Sequence, residues 1–147
     1  MKILAAVVIL LTMLGPAFGA GNLRLNPNLD SSSDSQDGPL ITGDGMESGF
    51  SAGKPGYVIL YGEGCYNSKQ QARRTVSLYD KYKGRVQFII VDLDRRLSPY
   101  QQELRQEYYQ GYIPHVVVLD AAGAALYNAS GEARESVISG LLDKALR

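Results

Sequence analysis

Cysteine and histidine are almost absent from this chain. Of its 147 residues, one is a cysteine, Cys65, and one is a histidine, His115. Two such residues cannot supply the three or four side-chain ligands that a zinc site needs. The 15 basic and 15 acidic residues give a formal net charge of zero, so no overall charge favours nucleic acid or a membrane surface. We therefore expect one domain with no metal, no cofactor and no nucleic-acid partner.

A hydrophobic run long enough to cross a membrane is also lacking. The apolar stretch at residues 3–14 is shorter than the roughly 20 residues of a spanning helix. Lys2 precedes this stretch and small residues follow it. The pattern is typical of a secretory signal peptide at residues 1–19, with Ala17 and Gly19 at positions −3 and −1 of the cleavage site. We expect export to the periplasm or beyond, without stable membrane insertion; the alternative is an uncleaved membrane anchor.

Residues 20–52 lack the apolar spacing of a helix or a strand and are rich in serine, aspartate, glycine and asparagine. Residues 21–52 contain one basic and five acidic residues. We interpret this segment as an acidic, flexible linker. Short pieces around residues 23–25 or 40–41 remain candidates for docking on the domain.

Residues 53–147 have the regular patterning of a folded α/β domain. Apolar, β-rich runs predict strands at residues 57–62, 86–94, 115–120 and 124–130. Apolar residues at three- and four-residue steps, or helix start and stop residues, predict helices at residues 67–83, 98–110 and 131–147. The order is β-α-β-α-β-β-α. Strands joined through a helix are parallel, so we predict a mixed four-stranded sheet with helices on both faces.

Three segments of this domain, in this order, resemble the thioredoxin-like fold superfamily. The strand followed by EGCYNSK (63–69) stands where thioredoxins carry a strand and W-C-G-P-C-K. The run VQFIIVDLD (86–94) resembles their second strand, and GYIPHVVVLDAAGAALYNASGE (111–132) resembles their cis-proline segment and hairpin. The resemblance covers residues 53–147. It implies a thioredoxin-like domain with its active site at Cys65, in the monothiol form C-x-x-S (CYNS).

Cys65 lies at the predicted N-terminus of a helix. Unpaired backbone N–H groups and the helix dipole stabilise a thiolate there, so we expect a pKa below the ~8.5 of a free cysteine. Ser68 stands where thioredoxins carry the second thiol. A hydroxyl cannot form a disulfide, so an outside thiol must resolve any mixed disulfide. Ser68 either donates a hydrogen bond to the thiolate or caps the helix. The alternative reading of Cys65 is an inert, buried residue.

The resemblance also implies a binding groove beside the cysteine. Ile113 and Pro114 correspond to the cis-proline loop, whose backbone meets a bound peptide in an extended form; an ordinary trans proline is the alternative. Tyr66 and Asn67, next to the cysteine, are further candidates for contact with a substrate.

Three positions depart from the thioredoxin pattern. Ile59 stands where thioredoxins carry a buried aspartate, Ile90 stands where the lysine facing it lies, and Gly64 replaces a tryptophan. An aspartate–lysine pair of that kind can shuttle the proton of the resolving cysteine. Its loss therefore fits the loss of the second thiol.

These features predict an exported thioredoxin-like protein that exchanges thiols and disulfides through Cys65. Its partners would be thiols or disulfides of client proteins, or a low-molecular-weight thiol. One alternative is a redox-inactive binding module that uses the groove beside Pro114, and another is a covalent dimer linked through Cys65. A nucleophile–base pair of Cys65 with His115 is a weaker hypothesis, because no aspartate or asparagine is evidently placed to orient the histidine.

Overall fold

The computed structural model describes residues 21–26, 41–43, 45–46 and 49–147. The predicted signal peptide at residues 1–19 lies outside the described residues, as does much of the predicted linker at residues 20–52. Within the described part, no helix combines the length and the apolar character needed to cross a membrane.

The described residues confirm the predicted α/β fold with a mixed four-stranded sheet. The strands are β1 (Leu23–Leu25), β2 (Ile41–Gly43), β3 (Gly56–Tyr61), β4 (Gln87–Asp92), β5 (His115–Leu119) and β6 (Ala125–Ser130). The helices are α1 (Tyr66–Tyr82), α2 (Pro99–Tyr108) and α3 (Glu135–Ala145). The larger sheet has the order β4-β3-β5-β6. Strands β3 and β4 are parallel, and the pairs β3–β5 and β5–β6 are antiparallel.

Helices cover both faces of this sheet. Side chains alternate between the two faces along a strand, and all residues of β3, β4 and β5 are buried. One face packs against α1 and α3, through residues such as Leu78 and Ile138. The opposite face packs against α2, through Leu104 and Tyr108. The sequences of these central strands are largely apolar because neither face of the strands meets water.

The predicted N-cap of α2 is confirmed, whereas the predicted start of α3 is wrong. The Ser98 side chain accepts a hydrogen bond from the backbone N–H of Gln101, and the backbone N–H of Ser98 donates to the side-chain oxygen of Gln101. Helix α3 begins at Glu135 instead of residue 131, because residues 131–134 form a loop held by other parts of the domain. Val137, on the third position of this helix, is 45% exposed.

Strands β1 and β2 form an antiparallel pair that packs beside β4, the edge strand of the larger sheet. The backbone N–H of Asn22 donates to the carbonyl of Phe88 at 3.0 Å. The side-chain amide of Asn22 pairs with both backbone groups of Ile90, at 2.7 and 3.0 Å. Ile41 is fully buried in the core, and its carbonyl accepts from the Tyr61 hydroxyl at 2.9 Å. At these positions the chain is packed on the domain instead of forming a free linker.

Candidate active site

Cys65 lies at the junction between the end of β3 and the start of α1, as predicted. Its backbone is extended, and its carbonyl accepts the hydrogen bond of Lys69 N–H at 3.0 Å, which makes Cys65 the N-cap residue of α1. Its own N–H donates to the carbonyl of Gly62 at 3.3 Å. The cysteine is a free thiol of intermediate exposure. A thiol in this position is accessible to a reagent or a partner, so Cys65 is not a buried core residue.

Ser68 lies within the first turn of α1 and is fully buried. Its hydroxyl oxygen accepts a hydrogen bond from the backbone N–H of Gly62 at 3.4 Å. The Ser68 side chain also lowers the pKa of the Cys65 thiol. Because Cys65 is itself the N-cap, Ser68 does not cap the helix. Of the two predicted roles, helix capping is wrong, and the hydrogen bond to the sulfur stays a prediction.

Burial and hydrogen bonding act in opposite directions on the Cys65 thiol. Burial raises the pKa of the thiol, because it disfavours the charged thiolate. Hydrogen bonds from the Ser68 hydroxyl and from the backbone N–H groups of Ser68 and Asn67 lower the pKa, and the negative charge of Glu132 raises it. The hydrogen bonds prevail, and the net result is a pKa below the ordinary value of a cysteine. This direction is the one that the position at a helix N-terminus predicts.

The segment before β5 brings Ile113 and Pro114 to the cysteine. The Ile113–Pro114 peptide bond is cis, as predicted. Pro114 is buried, and the carbonyl oxygen of Ile113 lies 4.0 Å from the sulfur of Cys65. The Ile113 side chain packs so closely on Gly62 that a Cβ at Gly62 would lie 2.7 Å from it. The contacting atom is the end of a flexible side chain, so a larger residue at Gly62 would displace the Ile113 side chain.

The other predicted contact residues lie at the surface. Asn67 is exposed, and Tyr66 is 67% exposed. Tyr112, which precedes Ile113, is 73% exposed. A Cβ at Gly64, the position of the thioredoxin tryptophan, would meet no described atom within 4 Å. The surroundings of Cys65 are therefore open on the side of the loop and carry two exposed tyrosines.

His115 does not serve as a base for Cys65. It is fully buried at the start of β5. One ring nitrogen lies 2.9 Å from the Ser130 hydroxyl, and the other lies 2.6 Å from the Asn128 side-chain oxygen. Both ring nitrogens are thus occupied by side chains of β6. The histidine is a satisfied structural residue, and the hypothesis of a Cys65–His115 pair is not supported.

Two side-chain clusters that the sequence did not reveal border the site. In the first, Arg95 contacts the carboxylates of Glu63 at 2.8 Å and Asp92 at 3.3 Å, and the Glu63 N–H donates to Asp94 at 2.7 Å. This cluster holds the loop before Cys65 against the end of β4. In the second cluster, Glu132, in the loop before α3, forms an ion pair with Arg74 of α1. The pairs Glu63–Arg95 and Arg74–Glu132 join residues far apart in the chain, so sequence spacing gives no signal for them.

Comparison with solved structures places this domain among thioredoxin-like folds. A malarial protein of known structure is 17% identical, with a TM-score of 0.53 over 64% of this chain and 99% of that chain. An uncharacterised thioredoxin-like protein from Clostridium perfringens is 19% identical, with a TM-score of 0.52 over 65% of this chain and 73% of that chain. No family model and no curated protein matches the sequence. The likeness shows the fold, and the chain has a thioredoxin-like fold.

Proposed function

We propose that this protein takes part in thiol–disulfide exchange through Cys65 alone. The observation that carries the proposal is the position of Cys65, a free and partly exposed thiol at the N-cap of α1, where hydrogen bonds from the first turn of the helix lower the pKa of the thiol. These bonds stabilise the thiolate, which is the nucleophile in disulfide exchange. The predicted export would bring the thiol into a compartment where disulfides persist.

The reaction needs one disulfide and one external thiol. The Cys65 thiolate attacks one sulfur of a disulfide in a client protein or a small molecule. A new S–S bond joins Cys65 to that sulfur, and the other sulfur leaves as a thiolate. An external thiolate then attacks the mixed disulfide and releases Cys65 as a thiolate. The exchange is balanced without a net oxidant, and Ser68 takes no part in the bond changes.

An extended client segment would bind along Ile113 and Pro114. The Ile113 carbonyl is 4.0 Å from the sulfur, so a segment lying there would bring its own sulfur close to Cys65. Backbone pairing of this kind gives affinity without demanding one sequence. Tyr66 and Asn67 are exposed on the helix side of Cys65 and would contact residues flanking the client cysteine.

Two measurements test the proposal. Iodoacetamide alkylation followed against pH gives the pKa of the thiol, and a value at or above ~8.5 would contradict an activated cysteine. Purification without reductant, followed by mass spectrometry, identifies the groups joined to Cys65, with Cys65→Ala as the control. We expect adducts that a reductant removes and that the variant lacks. If partners bind Cys65→Ala as well as the unaltered protein, the chain is a binding module and the exchange function is wrong.

A covalent dimer would give a distinct result in the same experiment. Non-reducing electrophoresis would then show a species of twice the chain mass, in place of adducts with other molecules. Its disappearance in Cys65→Ala would identify Cys65 as the linking residue.

A further inference from the structure

A fully buried glutamine links the helix that begins after Cys65 to the loop between β6 and α3. This residue, Gln71, lies on α1, and its side chain is excluded from water. Its side-chain oxygen accepts a hydrogen bond from the backbone N–H of Ala133 at 2.8 Å. Its amide nitrogen donates to the Tyr57 hydroxyl of β3 at 3.0 Å. A buried amide with partners at both ends is held in one orientation, so it fixes the loop at Ala133 relative to α1.

The same loop is bonded to the segment that lies beside the cysteine. The backbone N–H of Gly131 donates to the carbonyl of Pro114 at 2.8 Å. The pairing of β5 with its two neighbouring strands ends at His115, so this bond restrains the residues that precede the strand. The carbonyl oxygen of Ile113, one residue earlier, lies 4.0 Å from the sulfur of Cys65. A continuous series of contacts therefore leads from the buried amide of α1 to the carbonyl beside the sulfur.

We propose that Gln71 is a positioning residue that sets where an extended client segment lies relative to Cys65. Through residues 131–133, it holds the backbone of Ile113 and Pro114 in the place against which a client would pair. The inference deepens the proposed function and rests on it. The hydrogen bonds of Gln71 go to the loop and to β3. We therefore expect this residue to act on the placement of a client backbone and to leave the intrinsic reactivity of the thiol unchanged.

Two probes of the same chemistry separate client binding from thiol reactivity. One is N-acetylcysteine joined by a disulfide to thiopyridine, and the other is a short alanine- and glycine-rich peptide whose single cysteine carries the same group. In both, the Cys65 thiolate attacks the cysteine sulfur of the probe, a new S–S bond forms, and thiopyridine leaves as a thiolate whose absorbance measures the rate. The peptide alone offers a backbone on both sides of its cysteine. The ratio of the rate constants, peptide over N-acetylcysteine, therefore measures the contribution of client binding.

We expect the unaltered protein to prefer the peptide, and Gln71→Met to lower this preference. The methionine side chain keeps the length of glutamine but cannot accept the N–H of Ala133. The ratio should fall about three- to ten-fold, as the loss of one hydrogen bond implies, while the rate constant for N-acetylcysteine stays the same.

A second variant, Gly131→Ala, interrupts the other end of the same connection. Gly131 has a φ of +94°, which strains the backbone of a residue with a side chain. A Cβ there would meet no described atom within 4 Å, so the substitution acts on the loop and not on the core. We expect the same fall in the ratio as in Gln71→Met, again with an unchanged rate constant for N-acetylcysteine.

Thr75→Val is the matched control, because Thr75 belongs to the same buried network. Its hydroxyl lies 2.7 Å from the Tyr57 hydroxyl and donates to the backbone carbonyl of Gln71 at 2.8 Å. The substitution disturbs these bonds and leaves the side-chain acceptor of the Ala133 N–H in place. We expect the ratio to stay at the value of the unaltered protein, and denaturant unfolding to show that each variant is folded.

The results for the variants decide the inference. If the unaltered protein prefers the peptide and neither Gln71→Met nor Gly131→Ala changes the ratio, the inference is wrong and the proposed function stands. If Thr75→Val lowers the ratio as much as Gln71→Met does, or if the rate constant for N-acetylcysteine falls equally, the cause is a general loosening of the domain. The inference is then wrong as well.

The results for the unaltered protein decide the proposed function. If it reacts with neither probe, thiol–disulfide exchange through Cys65 is wrong. If it reacts equally fast with both probes, exchange stands, but a client backbone is not bound along Ile113 and Pro114, and the role of Gln71 is wrong with it.

Discussion

Ile59 and Ile90 lie directly opposite each other in the parallel register of β3 and β4, and both are fully buried. By the resemblance to thioredoxins, their positions would correspond to the aspartate and lysine that face each other in those proteins. Two branched hydrocarbon side chains pack well at this point but cannot accept or donate a proton. A second thiol at position 68 would therefore lack the proton relay that these residues provide in a dithiol site. The absence of a proton relay at Ile59 and Ile90 therefore agrees with the absence of a second thiol at position 68.

The substitution Ser68→Cys should convert the site from one thiol to two. Ser68 lies on the first turn of α1, three residues after the N-cap Cys65, so a thiol at that place would be within reach of a mixed disulfide. We expect the variant, treated with oxidised glutathione, to release the attached glutathione and form an internal disulfide. Intact-protein mass spectrometry measures both species over time.

The matched control for this experiment is Ser68→Ala, which should keep the attached glutathione until an external thiol is added. If the Ser68→Cys variant keeps its adduct as long as the control does, the two side chains are not positioned for exchange.

The substitution Ser68→Ala should also weaken the thiolate. It removes a hydroxyl that lowers the pKa of Cys65, so this pKa should rise. We expect iodoacetamide alkylation at pH 7 to slow about three- to ten-fold, as the loss of one hydrogen bond to a charged group implies. The N–H of Gly62 also loses its acceptor, at a cost of about 1 kcal/mol in the free energy of unfolding. Ser77→Ala, at an exposed serine of the same helix, is the control. Equal alkylation rates in both variants would show that Ser68 does not act on the thiol.

The parts of the site that follow from local sequence were predictable. An apolar strand, a cysteine and a helix in immediate succession place Cys65 at an N-terminus, where backbone N–H groups favour the thiolate. Ser98 and Pro99 similarly define the start of α2. The Ile113–Pro114 pair was identified by resemblance, and its closeness to Cys65 depends on the pairing of β3 with β5.

The parts that depend on buried polar contacts were not predictable. Gln71 and Thr75 interrupt the apolar stripe of α1, yet both are fully buried. The Gln71 amide donates to the Tyr57 hydroxyl at 3.0 Å, and that hydroxyl lies 2.7 Å from the Thr75 hydroxyl. Polar residues of this kind are buried only where partners exist, and the partners lie on another element. The three-residue strands β1 and β2 are too short to show the alternation of a strand.

A substitution at Ile41 tests whether the segment before the predicted domain boundary at residue 53 is part of the folded unit. Its side chain is fully buried in the core that α1 and α3 share with the sheet. We expect Ile41→Ala to reduce the free energy of unfolding by about 2–5 kcal/mol, through lost burial and the remaining cavity. Denaturant unfolding measures the change. Leu25→Ala, at a position that is 40% exposed, should change stability by no more than about 0.5 kcal/mol. Equal effects of the two substitutions would contradict the packing of Ile41.

Asp92 should make the stability of the domain depend on pH. Burial, together with a hydrogen bond to the Glu63 carboxylate, raises the pKa of Asp92 to about 6. An unfolded chain has an aspartate pKa of about 3.9, so the folded state binds this proton more tightly. The resulting stabilisation is complete below about pH 4 and is lost as the pH rises through about 6.

We therefore expect the free energy of unfolding of the unaltered protein to fall by about 1–2 kcal/mol between pH 4 and pH 7, relative to Asp92→Asn. An amide carries no charge at any pH, so the variant lacks this loss. Hydrogen bonds with Asp92 and Arg95 lower the pKa of Glu63. The contribution of Glu63 to the free energy of unfolding is therefore lost only at more acidic pH. Urea unfolding at several pH values measures the difference, with Asp80→Asn on the exposed side of α1 as the control for net charge. Parallel profiles for the unaltered protein and Asp92→Asn would show that this carboxyl group is not the source of the pH dependence.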